Sequence, residues 1–355
     1  MYIESKQFLP GLHALRGLAA TATILYHLHL MQPIFKVEYL SFVNSLGLGV
    51  TLFFMLSCFS LFHSTHTKIH QNNWLFAYVI KRIFRIYPLF LLMIVVHLIL
   101  HYMLYGKVYN FAEIISNVLI VYQFYPGQHT SFVWAGWTIG VEVTFYCLFP
   151  LLLVISQKIR FWLLLFIVTM LLSRDIPQLV AQLNLPTSYG YMSFPRELFV
   201  FIGGGLLYII VNRYPINRNI AILLLVVFIM VVVLSKFAAH NKFFLKPADV
   251  LLFNVLLLGI LIYTLYTSKR LFNRFTKFLG EASYTIYLLH PIVIAILKPY
   301  LTSIYDLQLP VDIAFLICFL IVFSIVCVIA YIINSYFEIP IYRYGVQLAK
   351  SKETT

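Results

Sequence analysis

Residues 312–334 read DIAFLICFLIVFSIVCVIAYIIN, an aspartate and an asparagine with nothing charged between them. A run of that length and apolarity matches the hydrocarbon thickness of a bilayer, which takes about 20 mostly apolar residues in a helix. Similar runs lie near 14–34, 46–63, 86–105, 137–156, 158–173, 196–212, 219–235, 249–267 and 282–301. The expected fold is therefore all-α: a polytopic bundle of about ten transmembrane helices. The run at 158–173 is the shortest and relies on Lys158 and Arg160 reaching back to the interface. A further apolar stretch at 112–125 suits a re-entrant or interfacial helix.

Composition agrees. Of 355 residues, 62% are hydrophobic and 10% charged, which excludes an ordinary soluble domain. The surplus of 25 Lys+Arg over 12 Asp+Glu gives a net charge of +13. In a soluble chain that would suggest a nucleic-acid partner. Here no nucleic acid is expected, and the charge fits basic cytoplasmic loops and an anionic ligand. With the N-terminus inside, 17 of the 25 basic residues fall on the cytoplasmic side and eight outside, so both termini are placed in the cytoplasm. The first apolar run is read as a retained helix and not a signal peptide. The four cysteines, Cys58, Cys147, Cys318 and Cys327, sit in apolar runs and read as buried thiols, with no metal-binding spacing. A single domain, 1–355, is expected, with a short cytoplasmic tail at 335–355.

Ionisable groups inside lipid are costly and therefore informative. The first span holds Arg16 and, eleven residues on, His27, which returns to within about 20° of the same helical face roughly 16 Å further along the axis. His27 reads either as a packed histidine or as a buried base. Lys81, Arg82 and Arg85 lead into the third span at one-turn spacings, so they can converge on one anion or simply anchor the helix. Glu142 lies one to two turns inside the fourth span and has to be paired, protonated or turned to a polar cavity. Ser283, Tyr287 and His290 share one face of the ninth span. Glu338, past the last span, reads as a local structural anchor.

In that order the segments resemble the acyltransferase-3 family of integral membrane acyltransferases, from Leu12 to Pro340. The resemblance rests on Arg16-x10-His27, Gly49-Val50 through Ser57-Cys58-Phe59, Arg82-x-x-Arg85-Ile-x-Pro88, Trp137-x4-Glu142-x2-Phe145-Tyr146, and Ser283-Tyr284-x-Ile-Tyr287-Leu-x-His290. Departures are Thr51 where an acid is frequent, Cys58 in place of a glycine, and Val143 after Glu142; they bear on the acceptor pocket. The SGNH-hydrolase domain of some relatives is not expected.

The resemblance implies an O-acetyltransferase of the inner (plasma) membrane, multi-pass, moving acetyl from cytoplasmic acetyl-CoA to a hydroxyl of a surface carbohydrate such as lipopolysaccharide O-antigen or capsule. It implies no permanently bound cofactor and no metal. His27 then acts as general base with Glu142 as its candidate partner, and Arg16, Lys81, Arg82 and Arg85 hold the coenzyme A phosphates. Ser57, Tyr87, Trp137, Tyr146, Arg196, Ser283, Tyr287 and His290 complete the set on the acceptor side or as supports. Direct attack is favoured over an acyl-His27 relay. Rival readings are a transporter or flippase of lipid-linked glycans, without the inverted repeats such proteins often carry, an acyltransferase for a small molecule or lipid, and a ligand-sensing or scaffolding membrane protein.

Overall fold

The structure, a computed structural model, describes residues 9–31, 46–214, 217, 219–227, 229–230 and 247–353. The labelled helices are α1 (Pro10–Met31), α2 (Leu48–Thr65), α3 (Trp74–Tyr105), α4 (Phe111–Val118), α5 (Trp137–Ile155), α6 (Ile159–Gln182), α7 (Thr187–Tyr191), α8 (Phe194–Arg213), α9 (Pro247–Leu265), α10 (Arg274–Glu281), α11 (Ser283–Tyr305), α12 (Val311–Ile333) and α13 (Ile339–Glu353). No strand occurs among the described residues. Seven helical segments there are long and apolar enough to cross a membrane. Helix α1 has the length, but Arg16 and three histidines dilute its apolarity. The expected span at 219–235 falls only partly within the described residues, where 219–227 and 229–230 are helical. Many large apolar side chains, among them Leu164, Leu172, Leu316 and Val328, point outward. With lipid as the solvent that is the stable arrangement, because the helices satisfy their own backbone hydrogen bonds. The chain is a polytopic membrane helix bundle.

Several boundaries differ from expectation, each for a local reason. Helix α3 begins at Trp74 and not near residue 86, so Lys81, Arg82 and Arg85 lie inside a 32-residue helix. The apolar residues Leu75–Ile80 already favour helix, and lipid does not dictate where a helix starts. It ends at Gly106, whose φ of 63° closes the last turn on the carbonyls of His101 and Tyr102. Helix α6, expected to end near residue 173, runs on to Gln182 through Pro177. The apolar stretch at 112–125 contains only the eight-residue α4, closed by an Asn110–Glu113 capping box, and a 3-10 turn at Tyr122–Phe124. In the segment expected as a short tail at 335–355, α12 passes through a π-helical segment, Asn334–Glu338, into α13. Gly345 of α13 lies flat against the Phe84 ring of α3, where a Cβ would stand 2.4 Å from Phe84 Cγ. Of the cysteines, Cys58 and Cys318 are buried, but Cys147 is exposed and Cys327 half-buried on outward helix faces.

The chain divides into two compact units, each assembled from separated segments. One comprises the described parts of 1–16, 51–69 and 144–277. Its core is aromatic: Phe54 and Phe145 both stack on Phe201, at 4.6 and 4.3 Å, and Phe62 packs against Phe149, Trp162 and Tyr208. Gly203-Gly204-Gly205 of α8 let that helix lie directly on α2, as small residues do between membrane helices. A Cβ on Gly204 would stand 2.2 Å from the Met55 carbonyl oxygen, a backbone atom that cannot step aside. Gly204→Ala is therefore expected to cost about 2 kcal/mol or more, read as a lowered unfolding midpoint in detergent; an unchanged midpoint would contradict this packing.

The other unit comprises 17–50, 70–143 and 278–355, again where described. It contains most of α1, α3, the loop before α5, and α11 to α13. Gly17 brings α1 against Leu279 of α10, where a Cβ would approach Leu279 Cβ to 2.7 Å.

Candidate functional site

Helix α11 collects the polar groups of the second unit. Its residues are buried from Thr285 to Ile294, and its polar side chains leave it in different directions. Tyr284 donates to the Ile86 carbonyl of α3 at 3.1 Å. The Tyr287 hydroxyl accepts from Thr138 at 3.1 Å and donates to the Ala135 carbonyl at 3.4 Å. His290, one turn beyond Tyr287 on the same face, reaches His27 of α1.

The two imidazoles settle each other's protonation pattern. His27 Nδ1 lies 3.0 Å from the Thr23 carbonyl oxygen, and His290 Nδ1 lies 3.1 Å from that of Ile286. A carbonyl only accepts, so in each ring Nδ1 carries the proton. His290 Nε2 is then a bare lone pair, and it sits 3.0 Å from His27 Nδ1. The His27 N–H is shared between two acceptors, which leaves Nε2 of His27 as the basic nitrogen. The rings stand 4.9 Å apart at 51°. His290 is fully buried, whereas His27 is half-buried and keeps part of its ring open. A fixed ring with one committed N–H and one open lone pair is what a general base requires.

The sequence offers Glu142 as the partner of His27; the structure places His290 within hydrogen-bond distance of it. Glu142, half-buried in the second turn of α5, acts electrostatically on Tyr284 and Tyr287. The loop leading into α5 is tightly held. Ser131 and Ala135 adopt left-handed φ of 66° and 62°, conformations that persist only where neighbours enforce them. The enforcing bonds are Ser131 Oγ to Asn117 at 2.5 Å, Trp134 N–H to His97 Nε2 at 3.1 Å, and Tyr122 hydroxyl to the Gly136 carbonyl at 2.6 Å. Burial pushes the Tyr122 phenol well above its ordinary range, so it remains a donor.

The basic cluster divides. Arg85 Nη1 donates to Glu338 Oε1 at 2.6 Å, and Glu338 is only 3% exposed. Thr285 donates to the other carboxylate oxygen at 2.5 Å. Glu338 thus bridges α3 and α11, a wider role than the local anchor expected of it. Arg85, expected to face a donor phosphate, has a carboxylate in contact. Lys81 and Arg82 lie on the same helix and are half-buried. Tyr87 is within 3.5 Å of the Leu119 carbonyl, and Trp137 opens α5 half-buried. Ser283 turns back on the Gly280 carbonyl at 2.9 Å and does not join the Tyr287–His290 face in bonding.

The remaining candidates belong to the first unit. Arg16 Nη2 is 3.5 Å from Ser60 Oγ, and Ser57 and Tyr146 are buried. Arg196 bonds the Tyr191 carbonyl at 3.0 Å and the buried Glu197 carboxylate at 3.1 Å. Residues that sequence reasoning missed are Thr23, Thr138, Thr285 and His97. The threonines are unremarked in a helix, and His97 sits in an apolar run whose only signal is its imidazole. Among the described residues no cluster of His, Cys, Asp or Glu could hold a metal ion.

Comparison with known proteins adds an independent result. A protein of Acidianus two-tailed virus named "Putative acetyltransferase ORF330" is 27% identical over 290 residues, covering 80% of this chain and 83% of that protein. No solved structure matches. The acyltransferase-3 family, described as an acyltransferase domain, matches residues 9–333, which include every residue of the site described above except Glu338. The chain, a multi-pass membrane protein, belongs to the acyltransferase-3 family.

Proposed function

We propose that this membrane acyltransferase is an acetyl-CoA-dependent O-acetyltransferase acting on a cell-surface carbohydrate such as lipopolysaccharide O-antigen or capsule. We place it in the inner membrane with both termini cytoplasmic. The observation that carries the reading is the His27–His290 pair, in which a half-buried imidazole has its Nδ1–H committed and its Nε2 available.

In the proposed reaction Nε2 of His27 takes the proton of the acceptor hydroxyl as that oxygen attacks the thioester carbonyl. The tetrahedral intermediate collapses with cleavage of the carbon–sulfur bond. The departing thiolate recovers the proton from the His27 imidazolium, leaving ester and coenzyme A. The Thr23 carbonyl and His290 Nε2, both acceptors, stabilise the transient charge on His27. Removal of water from a site among buried helices protects the thioester from hydrolysis. The donor is a polyanion made in the cytoplasm, which suits the cations of α3.

The test supplies purified protein in nanodiscs with radiolabelled acetyl-CoA and isolated surface polysaccharide, following thiol release and label in the glycan. Mass spectrometry of the polysaccharide from cells with and without the gene reads the same reaction in vivo. No acceptor-dependent thiol release and no acetyl difference would end the proposal. Within it, Arg82→Ala is expected to raise the apparent KM for acetyl-CoA about tenfold, equivalent to about 1.4 kcal/mol of lost charge-assisted bonding, with little change in kcat. An unaltered KM would make Arg82 a topological anchor only.

A further inference from the structure

Arg85, Glu338 and Thr285 form a chain of contacts that ends on the helix carrying His290. Glu338 Oε1 receives Arg85 and Oε2 receives Thr285, so the carboxylate is bonded on both oxygens while almost wholly buried. It stands on the π-helical segment between α12 and α13, an irregularity that often marks a functional position in helices. Thr285 and His290 are five residues apart on α11, about 7.5 Å along the axis and about 140° around it. The Glu338 bond therefore grips α11 from a side different from the one that presents His290.

The other grips on α11 are Tyr284 to Ile86, and Tyr287 to Ala135 in the loop before α5 and to Thr138 in the first turn of α5. Between them they fix the helix in rotation and in height. A rotation of only about 10° would move an imidazole nitrogen on the outside of a helix by about 1 Å. That is enough to break a 3.0 Å contact such as the one between His290 and His27. Misplacement of this size in a catalytic group is worth up to about a hundredfold in rate.

We infer that Glu338 is a positioning residue for acyl transfer, acting through Thr285 and α11 to set His290 against His27. Its partnership with Arg85 keeps its charge compensated in an apolar surrounding. The kinetic side of this inference rests on the transferase reading; the structural side does not.

Thr285→Val tests it with the least disturbance, since it keeps the side chain's shape and leaves the Arg85–Glu338 pair in place. Three companions are Glu338→Gln, the conservative Thr285→Ser, and Thr302→Val as control. Thr302 is on the same helix, but its hydroxyl bonds only back to the Lys298 carbonyl at 2.9 Å. Thr285→Val is expected to lower kcat about tenfold or more with KM for acetyl-CoA unchanged, Thr285→Ser to restore it, and Thr302→Val to behave as wild type. The second readout needs no activity. In protein carrying 15N-labelled histidine, assigned with His27→Gln and His290→Gln, the ring nitrogens of His27 and His290 should shift in Thr285→Val and Glu338→Gln and not in Thr302→Val.

Unchanged ring-nitrogen shifts in folded Thr285→Val would overturn the inference, as would a kcat loss that Thr285→Ser fails to repair. Should Glu338→Gln not fold, Thr285→Val still decides the matter. Should wild-type protein transfer no acyl group while the ring nitrogens still respond to Thr285→Val, the transferase reading falls and the positioning of His290 stands.

Discussion

His27→Ala is expected to reduce acyl transfer by about 10²- to 10⁴-fold, the range general-base catalysis contributes, while coenzyme A binding and the folded state persist. The loss is specific because of what His27 does in the structure. It is half-buried, so truncating it opens little cavity. Its one committed hydrogen goes to the Thr23 carbonyl and His290, groups that remain well placed without it. What disappears is the only nitrogen of the pair with an open lone pair. A hydroxyl then has to attack the thioester while still protonated. The measurement is single-turnover transfer of label from acetyl-CoA to polysaccharide, with donor binding followed separately by calorimetry. Product at the wild-type rate would remove His27 from the chemistry, and loss of donor binding along with rate would point to a structural role.

How far the sequence anticipates this site depends on the distance between the partners. Arg16 and His27 are legible because both lie on one helix, where periodicity alone relates their faces. Tyr287 and His290 are legible for the same reason. The pairing of His27 with His290 crosses 263 positions, and that of Arg85 with Glu338 crosses 253. No periodicity carries such information; it comes from how α1, α3, α11 and the segment after α12 pack. Glu142 makes the point from the other side. As a lone carboxylate in a span it is the natural candidate to hold an imidazole, and nothing in its spacing announces that a second histidine, His290, lies against His27. Thr285 and Glu338 illustrate a further limit. A threonine in an apolar helix usually bonds its own backbone, as Thr302 does, and only the tertiary fold turns Thr285 outward to a carboxylate. Helix α13 is hard to read from composition because its apolar positions, such as Ile341, Leu348 and the small Gly345 and Ala349, cover one face while polar and charged residues interrupt the run.

A second large effect is expected at His290, and its form distinguishes orientation from chemistry. His290→Phe fills the buried space but deprives the His27 N–H of one of its two acceptors. The Thr23 carbonyl still holds that hydrogen, so the correct tautomer survives, and the fall in kcat should be smaller than for His27→Ala: about 10- to 100-fold, with KM for acetyl-CoA unmoved. His290→Gln, whose side-chain oxygen can accept in place of Nε2, should recover part of the loss. The decisive comparison is the double variant. If His290 works only by aiming His27, removing it from a protein that already lacks His27 costs nothing further, and His27→Ala/His290→Phe should be no slower than His27→Ala alone. Multiplicative losses in the double variant would mean that His290 contributes by a route of its own, either to the reacting groups or to the integrity of α11. Because the ring is wholly enclosed, the folded state of each variant needs checking by its elution as a single species before rates are compared. With that satisfied, non-additivity ties the two histidines into one functional unit, as the 3.0 Å separation of their facing nitrogens requires.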